Sequence, residues 1–267
     1  MIIITMVTLM ILIDMHTHIL PHIDDGASNL SEAQNMIETL YNQNTITAVC
    51  TPHFNPVTTT IEQFAMKRNE VSNLIKDSKI KLIQGSETVL HDYLFYYSDL
   101  NELCIENTNY ILIELPFIKK WPKTIYSLIK RLILYFDIIP IIAHIERYPP
   151  TMKNKKNIQR LRDLGCIIQV NTTTVLNEKN NKRVLNYIKE NYVDVLGSDC
   201  HNMTLRTPIL KDAYDKIEKE LGEEYCKNLI FNAWCIVKGM DIRNKGLIMS
   251  EEKEKFLNEY QKKGSLV

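Results

Sequence analysis

The sequence predicts an α/β chain built as a parallel barrel of seven β/α units, of the TIM-like kind. Three observations predict it. Short apolar runs rich in Ile and Val alternate with amphipathic helical segments along the chain, the pattern of parallel strands joined by crossover helices. Seven such units can be traced, and 267 residues suit one barrel domain. Polar side chains able to bind metal recur where the strands end, which is the face where a parallel barrel builds its active site. No long linker, repeat or low-complexity stretch interrupts the units, so one domain over 1–267 is expected. Its core would run from about 12 to 240, with a charged, frayed tail from Ser250.

The first thirteen residues carry no charge. They are shorter than the roughly 20 apolar residues of a membrane helix. They also lack the basic start and small-residue cleavage site of a signal peptide. Density in Ile, Val and Thr marks them as a buried first strand with a few residues in front, ending near Asp14. Met1, Met6 and Met10 are all possible starts. A helix follows over 30–42, capped by Asn29 with Glu32 three residues on. Ala33, Met36, Ile37 and Leu40 form its apolar face, and Asn44 can take the left-handed conformation that closes it.

The second strand is expected over 46–51. A helix over 61–76 would bury Phe64, Val71, Leu74 and Ile75. The third strand, 80–87, ends at Glu87, and the fourth, 110–115, carries Glu114. Pro122 opens a helix showing Ile125, Leu128, Ile129 and Leu132. The fifth strand, 138–144, ends at His144 and leads into one helix closed by Gly165. The sixth, 166–171, is followed by a helix over 178–191, and the seventh, 193–199, ends at Asp199. Two or more helices complete the chain.

Composition narrows the function. Hydrophobic residues at 45% and charged residues at 24% leave ample material for a core. Lys plus Arg equals Asp plus Glu at 32 each, so no basic footprint for nucleic acid is expected. Six cysteines without a CxxC pair read as reduced, buried thiols of a cytosolic protein.

The chemistry lies in the polar strand ends. His16 and His18 follow the first strand, His53 the second, Glu87 ends the third, Glu114 the fourth and His144 the fifth. Asp199 and His201 follow the seventh, and Asp25 lies in the first loop. Residues i and i+2 on extended chain point the same way, so His16 with His18, and Asp199 with His201, each present two groups to one place. A lone strand-end histidine is ordinarily a satisfied core residue. Four carboxylates converging in one cleft would repel one another without cations, so the set points to metal ions. Mixed imidazole and carboxylate donors suit Mn²⁺, Fe or Zn²⁺, and Co²⁺ is also open.

The segments MHTHILPHIDDGA, CTPHF, GSE, ILIELP, IAHIERY and GSDCHN, in that order, resemble the polymerase and histidinol phosphatase (PHP) superfamily. HILPxxDDGA and HIER look most like its bacterial tyrosine-protein phosphatases of capsule and exopolysaccharide loci, the CpsB/CapC/YwqE type. The resemblance implies a distorted barrel, the PHP fold, with a site for three divalent metal ions, manganese favoured. By motif, His16, His18, Glu87 and Asp199 would hold the first. Glu87 would bridge to a second completed by Glu114 and His144. Asp25, His53 and His201 would hold the third. Three divalent ions at about +6, against −4 from Asp25, Glu87, Glu114 and Asp199, leave a site near +2 that attracts a phosphate dianion. Arg147 and Arg206 match arginines that hold the phosphate in the family, and a guanidinium fork suits that task.

The resemblance further implies hydrolysis of phosphotyrosine by metal-activated water, with no covalent enzyme intermediate. The implied substrate is the C-terminal tail of a bacterial tyrosine kinase controlling polysaccharide export, met in the cytoplasm at a membrane-bound kinase. Two other readings stay open. One is a PHP phosphatase for a small ester such as histidinol phosphate. The other is a non-catalytic regulatory partner of the kinase, against which the complete ligand set argues. Cys200 belongs to no CxxxxxR loop and is given no nucleophilic role. His22 reads as a solvated loop residue and His91 as structural. The cluster Tyr93, Phe95, Tyr96 and Tyr97 reads as helix packing.

Overall fold

The computed structural model describes residues 10–152, 154–244 and 256. Residues ahead of Met10 and nearly all of the tail from Ser250 lie outside the described residues, and the expectations for both ends with them.

Strands and helices alternate as expected, and every strand pair is parallel. The strands are β1 (Leu12–Thr17), β2 (Thr45–Cys50), β3 (His53–Phe54), β4 (Lys81–Gln84), β5 (Glu87–Val89), β6 (Tyr110–Glu114), β7 (Ile139–Ile142), β8 (Ile167–Asn171) and β9 (Val195–Gly197). One sheet runs β1-β2-β4 and the other β3-β5-β6-β7-β8-β9. The seven expected strands thus become nine pieces, because the second and third are each broken. The first break falls on Thr51 and Pro52, where proline has no N–H to give the ladder. The second falls on Gly85 and Ser86, whose hydroxyl bonds to the Leu103 carbonyl instead (2.8 Å). Main-chain bonds carry the pairing across these breaks. Thr51 N donates to Thr17 O (2.8 Å) and Glu87 N to Pro52 O (3.0 Å). At the far edge Asp199 N donates to His16 O (2.8 Å) and His18 N to Cys200 O (2.9 Å), joining the end of β9 to the end of β1.

The helices among the described residues are α1 (Leu30–Asn42), α2 (Ile61–Leu74), α3 (Lys123–Phe136), α4 (Pro149–Met152), α5 (Lys156–Asp163), α6 (Thr172–Leu176), α7 (Asn181–Lys189), α8 (Lys211–Leu221) and α9 (Glu223–Val237). In α1 the expected face is buried and Asn29 accepts from Glu32 N (2.9 Å), but the Glu32 carboxylate turns to Ser28 N rather than closing a capping box. Asn44 is left-handed, as expected, with φ 62°.

Helix α2 departs from expectation. Leu74 is 60% exposed, and the buried face instead includes Arg68. Its guanidinium donates to the carbonyls of Gly85 (3.2 Å) and Glu102 (2.5 Å). The single helix expected between His144 and Gly165 is three pieces: a 3-10 turn (Ile145–Arg147), α4 and α5. Pro149 explains the first break, since the residue before a proline is driven out of the helical region, and Tyr148 sits at φ −80°, ψ 130°. The helix expected over 178–191 is the shorter α7, preceded by α6.

The core is Ile- and Leu-rich and continuous from β1 through α9. All six cysteines are free and buried, as expected for reduced thiols.

Candidate metal centre

The ends of β1 and β6, the first residues of β3 and β5, the loop after β1 and the turns after β7 and β9 deliver the expected ligands to one cleft. β1 runs to Thr17 rather than Asp14, so His16 lies inside the strand and His18 one step past it, on the same side. Two glycines allow the close approach around this pair. A Cβ on Gly197 would lie 2.4 Å from His16 Cβ, and one on Gly26 would lie 2.2 Å from the His18 carbonyl oxygen. β9 and the first loop could not pack there with any larger residue.

Glu87 sits at the middle, 1% exposed. One of its oxygens is 3.2 Å from His16 Nε2, 3.3 Å from His18 Nε2 and 3.1 Å from His53 Nδ1. The other is 2.7 Å from His144 Nε2. Asp199 Oδ1 lies 3.4 Å from His16 Nε2 and 3.5 Å from His18 Nε2. On the outer side Asp25 Oδ1 is 3.3 Å from His201 Nε2 and 3.5 Å from His53 Nε2. On the inner side Glu114 Oε1 is 3.6 Å from His144 Nε2.

Three groups of donor atoms each converge within 4.8 Å: His16, His18, Glu87 and Asp199; His18, Asp25, His53 and His201; and His53, Glu87 and Glu114. All nine sequence-expected ligands therefore meet in one cleft. The first two groups contain the expected first and third sets, with His18 added to the second. In the last, His53 takes the place expected for His144, which instead touches Glu87 and Glu114 from the side.

The donor set fits divalent metal ions. His16 Nε2 and His18 Nε2 face each other at 3.0 Å, a contact in which at most one proton can be shared, while Glu87 and Asp199 press on both. Burial opposes charge on His18, yet hydrogen bonds to Asp24 and Glu87 outweigh it and lift its pKa to about 10. Burial opposes charge on Glu87 as well, but His16 and its other imidazole neighbours hold it well below the usual carboxylate range. The carboxylates thus demand positive charge at the point between them, which a divalent cation would supply. At the edge of the cluster, burial and the nearby Glu87 charge push Glu114 up to about 7. Burial and neighbouring cations push His201 down to about 4, which suits a neutral imidazole ligand. His144 and Asp199 both adopt left-handed backbone, at φ 31° and 54°, a strain found where surrounding structure forces a side chain to a functional position.

Arg147 and Arg206 converge on the same carboxylate. Arg147 NH1 donates to Asp199 Oδ2 (3.1 Å) and Arg206 NH2 to Asp199 Oδ1 (2.5 Å). Each keeps over a third of its side chain exposed, so both guanidinium groups border the cleft and solvent together. Cys200 is fully buried and its thiol is pushed well above its ordinary value by that burial, in keeping with no nucleophilic role. His22 is exposed, as expected, and His91 Nδ1 accepts from Tyr93 N (3.1 Å). Phe95 packs on Phe136 of α3 as expected, whereas Tyr96 is 81% exposed.

The sequence reading missed the supports behind the ligands. Asp24 Oδ2 lies 2.6 Å from His18 Nδ1 and accepts from His53 N (2.8 Å), while its other oxygen accepts from Gly26 N (2.9 Å). Gln169 Oε1 lies 3.4 Å from His16 Nδ1 and accepts from His144 N (2.6 Å). Asn171 Nδ2 donates to Asp199 Oδ2 (2.6 Å). The polar pair Gln169 and Asn171, two apart on the otherwise apolar β8, was the signal that could have revealed them. Such outer contacts fix the ring orientation of metal-binding histidines. Asp24→Ala is expected to weaken metal binding about 10- to 100-fold, read from the metal concentration needed for half-maximal occupancy.

The residues 12–238 match the model of the family described as Capsular polysaccharide synthesis, CpsB/CapC. The tyrosine-protein phosphatase CpsB of Streptococcus agalactiae is 30% identical over 249 residues, covering 85% of this chain and 98% of that protein. The tyrosine-protein phosphatase YwqE of Bacillus subtilis is 29% identical over 248 residues, covering 86% and 93%. Among solved structures, one from the work on YwqE of B. subtilis and CpsB of Streptococcus pneumoniae, described as unique metal-dependent tyrosine phosphatases, superposes with a TM-score of 0.73. It has 27% identity and covers 86% of this chain and 95% of its own. A histidinol phosphate phosphatase from Lactococcus lactis shares the fold, with a TM-score of 0.50 at 13% identity over 83% and 93% of the two chains. The match over residues 12–238 and these similarities settle the membership: the chain belongs to the CpsB/CapC family of capsular polysaccharide synthesis.

Proposed function

We propose that this protein is a metal-dependent protein-tyrosine phosphatase. The observation that carries the reading is the position of Glu87, whose two oxygens meet four imidazoles between 2.7 and 3.3 Å. Glu87 would be a shared ligand of the divalent ions that this cleft would hold. The full site comprises His16, His18, Asp25, His53, Glu87, Glu114, His144, Asp199 and His201 around three divalent ions, Mn²⁺ first among the candidates. We further infer one domain over 1–267, folded as a distorted (β/α)7 barrel. The bond from Asp199 N to His16 O, which brings the last strand against the first, supports the barrel.

Bound divalent ions would lower the pKa of a water and offset phosphate charge. The chain's own groups do the rest. Arg147 and Arg206 can swing from Asp199 to the phosphate oxygens, each offering a planar pair of N–H groups. Asp24 and Gln169 hold the His18 and His16 rings in place through Nδ1. The leaving group of a tyrosine ester is a phenolate, of pKa about 10, which departs with less help from a general acid than an alkoxide needs. The proposed substrate is the phosphotyrosine tail of a bacterial tyrosine kinase governing polysaccharide export, reached from the cytoplasm at the membrane-bound kinase. No helix among the described residues is long and apolar enough to cross a membrane.

The test is metal analysis coupled to turnover of a phosphotyrosine peptide against histidinol phosphate. The expected result is bound metal and a preference for the peptide. A preference for histidinol phosphate overturns the tyrosine reading. No metal, and no turnover with added Mn²⁺, overturns catalysis altogether.

A further inference from the structure

Beside the cleft stands an aromatic side chain that the ligand set does not use. Phe117 lies in the loop between β6 and α3, three residues past Glu114. Its ring is stacked on His144 (centroids 5.7 Å apart, planes at 26°) and packs on Tyr148 at 4.8 Å. The Arg147 guanidinium sits over it, 5.3 Å from the ring centre. With three such neighbours Phe117 is still 48% exposed, so about half of the residue remains open to solvent beside them.

The loop that holds Phe117 is anchored at both ends. Leu115 N donates to the buried Tyr148 hydroxyl (2.8 Å), and Trp121 Nε1 donates to the Pro116 carbonyl (3.0 Å). Ile118 N also bonds to Pro116 O (2.9 Å). The ring is therefore presented by a fixed turn. It touches one metal-ligand candidate, His144, and one phosphate-binding candidate, Arg147, at once. A phosphate oxygen engaged by Arg147 lies three covalent bonds from the first carbon of the ester substituent. An aromatic substituent there comes within reach of the Phe117 ring, in the offset or edge-to-face arrangements that aromatic pairs favour. An alkyl chain in the same place offers no such pairing.

We propose that Phe117 is a specificity-determining residue that selects aryl phosphate esters over alkyl ones. This rests on the phosphatase reading above and gives it a substrate-side contact. Phe117 shares a ring face with the guanidinium that takes the phosphate, and it acts on binding of the aryl group rather than on the bond broken.

The experiment compares wild type, Phe117→Ala and Phe117→Tyr, loaded with Mn²⁺. The substrates are one peptide carrying phosphotyrosine or phosphoserine at the same position, with inorganic phosphate as inhibitor. In Phe117→Ala the KM for the phosphotyrosine peptide is expected to rise roughly 3- to 10-fold, the range of an aromatic pair. The phosphoserine peptide and the inhibition constant for phosphate are expected not to move, and Phe117→Tyr is expected to behave as wild type. Equal losses for both peptides and for phosphate would assign Phe117 to support of His144 and overturn the inference, as would no change in any of them. A wild type that hydrolyses neither peptide removes the phosphatase reading itself. A wild type active on phosphotyrosine with an unaltered Phe117→Ala variant removes only the role of Phe117.

Discussion

Glu87→Gln is expected to lower kcat/KM about a thousandfold, at the upper end of what removing one group that stabilises the transition state costs, and to reduce bound metal together with activity. The substitution keeps the volume and one oxygen but removes the charge. In the folded chain that charge is what holds His16, His18, His53 and His144 around one point. A neutral amide also brings an NH₂ group into a nest of imidazole nitrogens, where it competes with a cation for the same lone pairs. Loss should therefore appear in metal content before it appears in fold. Elemental analysis of the purified variant, kcat/KM on a phosphotyrosine substrate and a circular dichroism melt separate the two. Glu178→Gln, at an exposed position, serves as the matched control. Full metal content with full activity in Glu87→Gln would remove the bridging role.

The sequence disclosed the ligands more fully than the scaffold behind them. Strand-end histidines and carboxylates stand out because charged groups are costly to bury, so their recurrence after apolar runs is visible without coordinates. The α1 face and the strand β6 were legible for the same reason, since their apolar periodicity is local. What stayed hidden depends on partners distant in sequence. From the sequence no role was expected for Asp24 beside Asp25, yet it is Asp24 that turns inward to His18 and the His53 amide, while Asp25 stays 67% exposed. Leu74 fell at helical spacing with Phe64 and Val71, but it is exposed and Arg68 takes the interior instead, held by the Gly85 and Glu102 carbonyls far off in sequence. The break at Pro149 is readable from the residue itself, although one helix up to Gly165 was expected there. Phe117 carried no sequence signal, because an aromatic beside a proline in a loop is ordinary until Arg147 is found above it.

Removing the metals is expected to lower the melting temperature, by an amount that grows as pH rises. One ion held at a hundred times its dissociation constant stabilises the fold by about 2.7 kcal/mol. For a chain of this size that corresponds to roughly 5–10 °C in melting temperature, and several sites add to it. The pH dependence follows from His18. Its pKa in the metal-free fold is about 10, raised by Asp24 and Glu87 against burial, from an ordinary 6.5. A group whose pKa is raised by folding contributes stability that is fully present below its unfolded value and is lost as pH climbs through its folded value. The metal-free protein therefore loses this support progressively between pH 6.5 and about 10. A metal ion on Nε2 must displace the same proton, so its apparent affinity rises about tenfold per pH unit over that window from this group alone. Each tenfold is worth about 1.4 kcal/mol. Thermal melts with Mn²⁺ and with a chelator, at pH 6.5, 7.5 and 8.5, should show the gap between them widening at each step. Calorimetric titration in buffers of different ionisation enthalpy should show at least one proton released per His18 site filled. A gap that narrows with rising pH would mean that His18 does not bear the proton that the metal replaces, and that the carboxylates around it are balanced elsewhere.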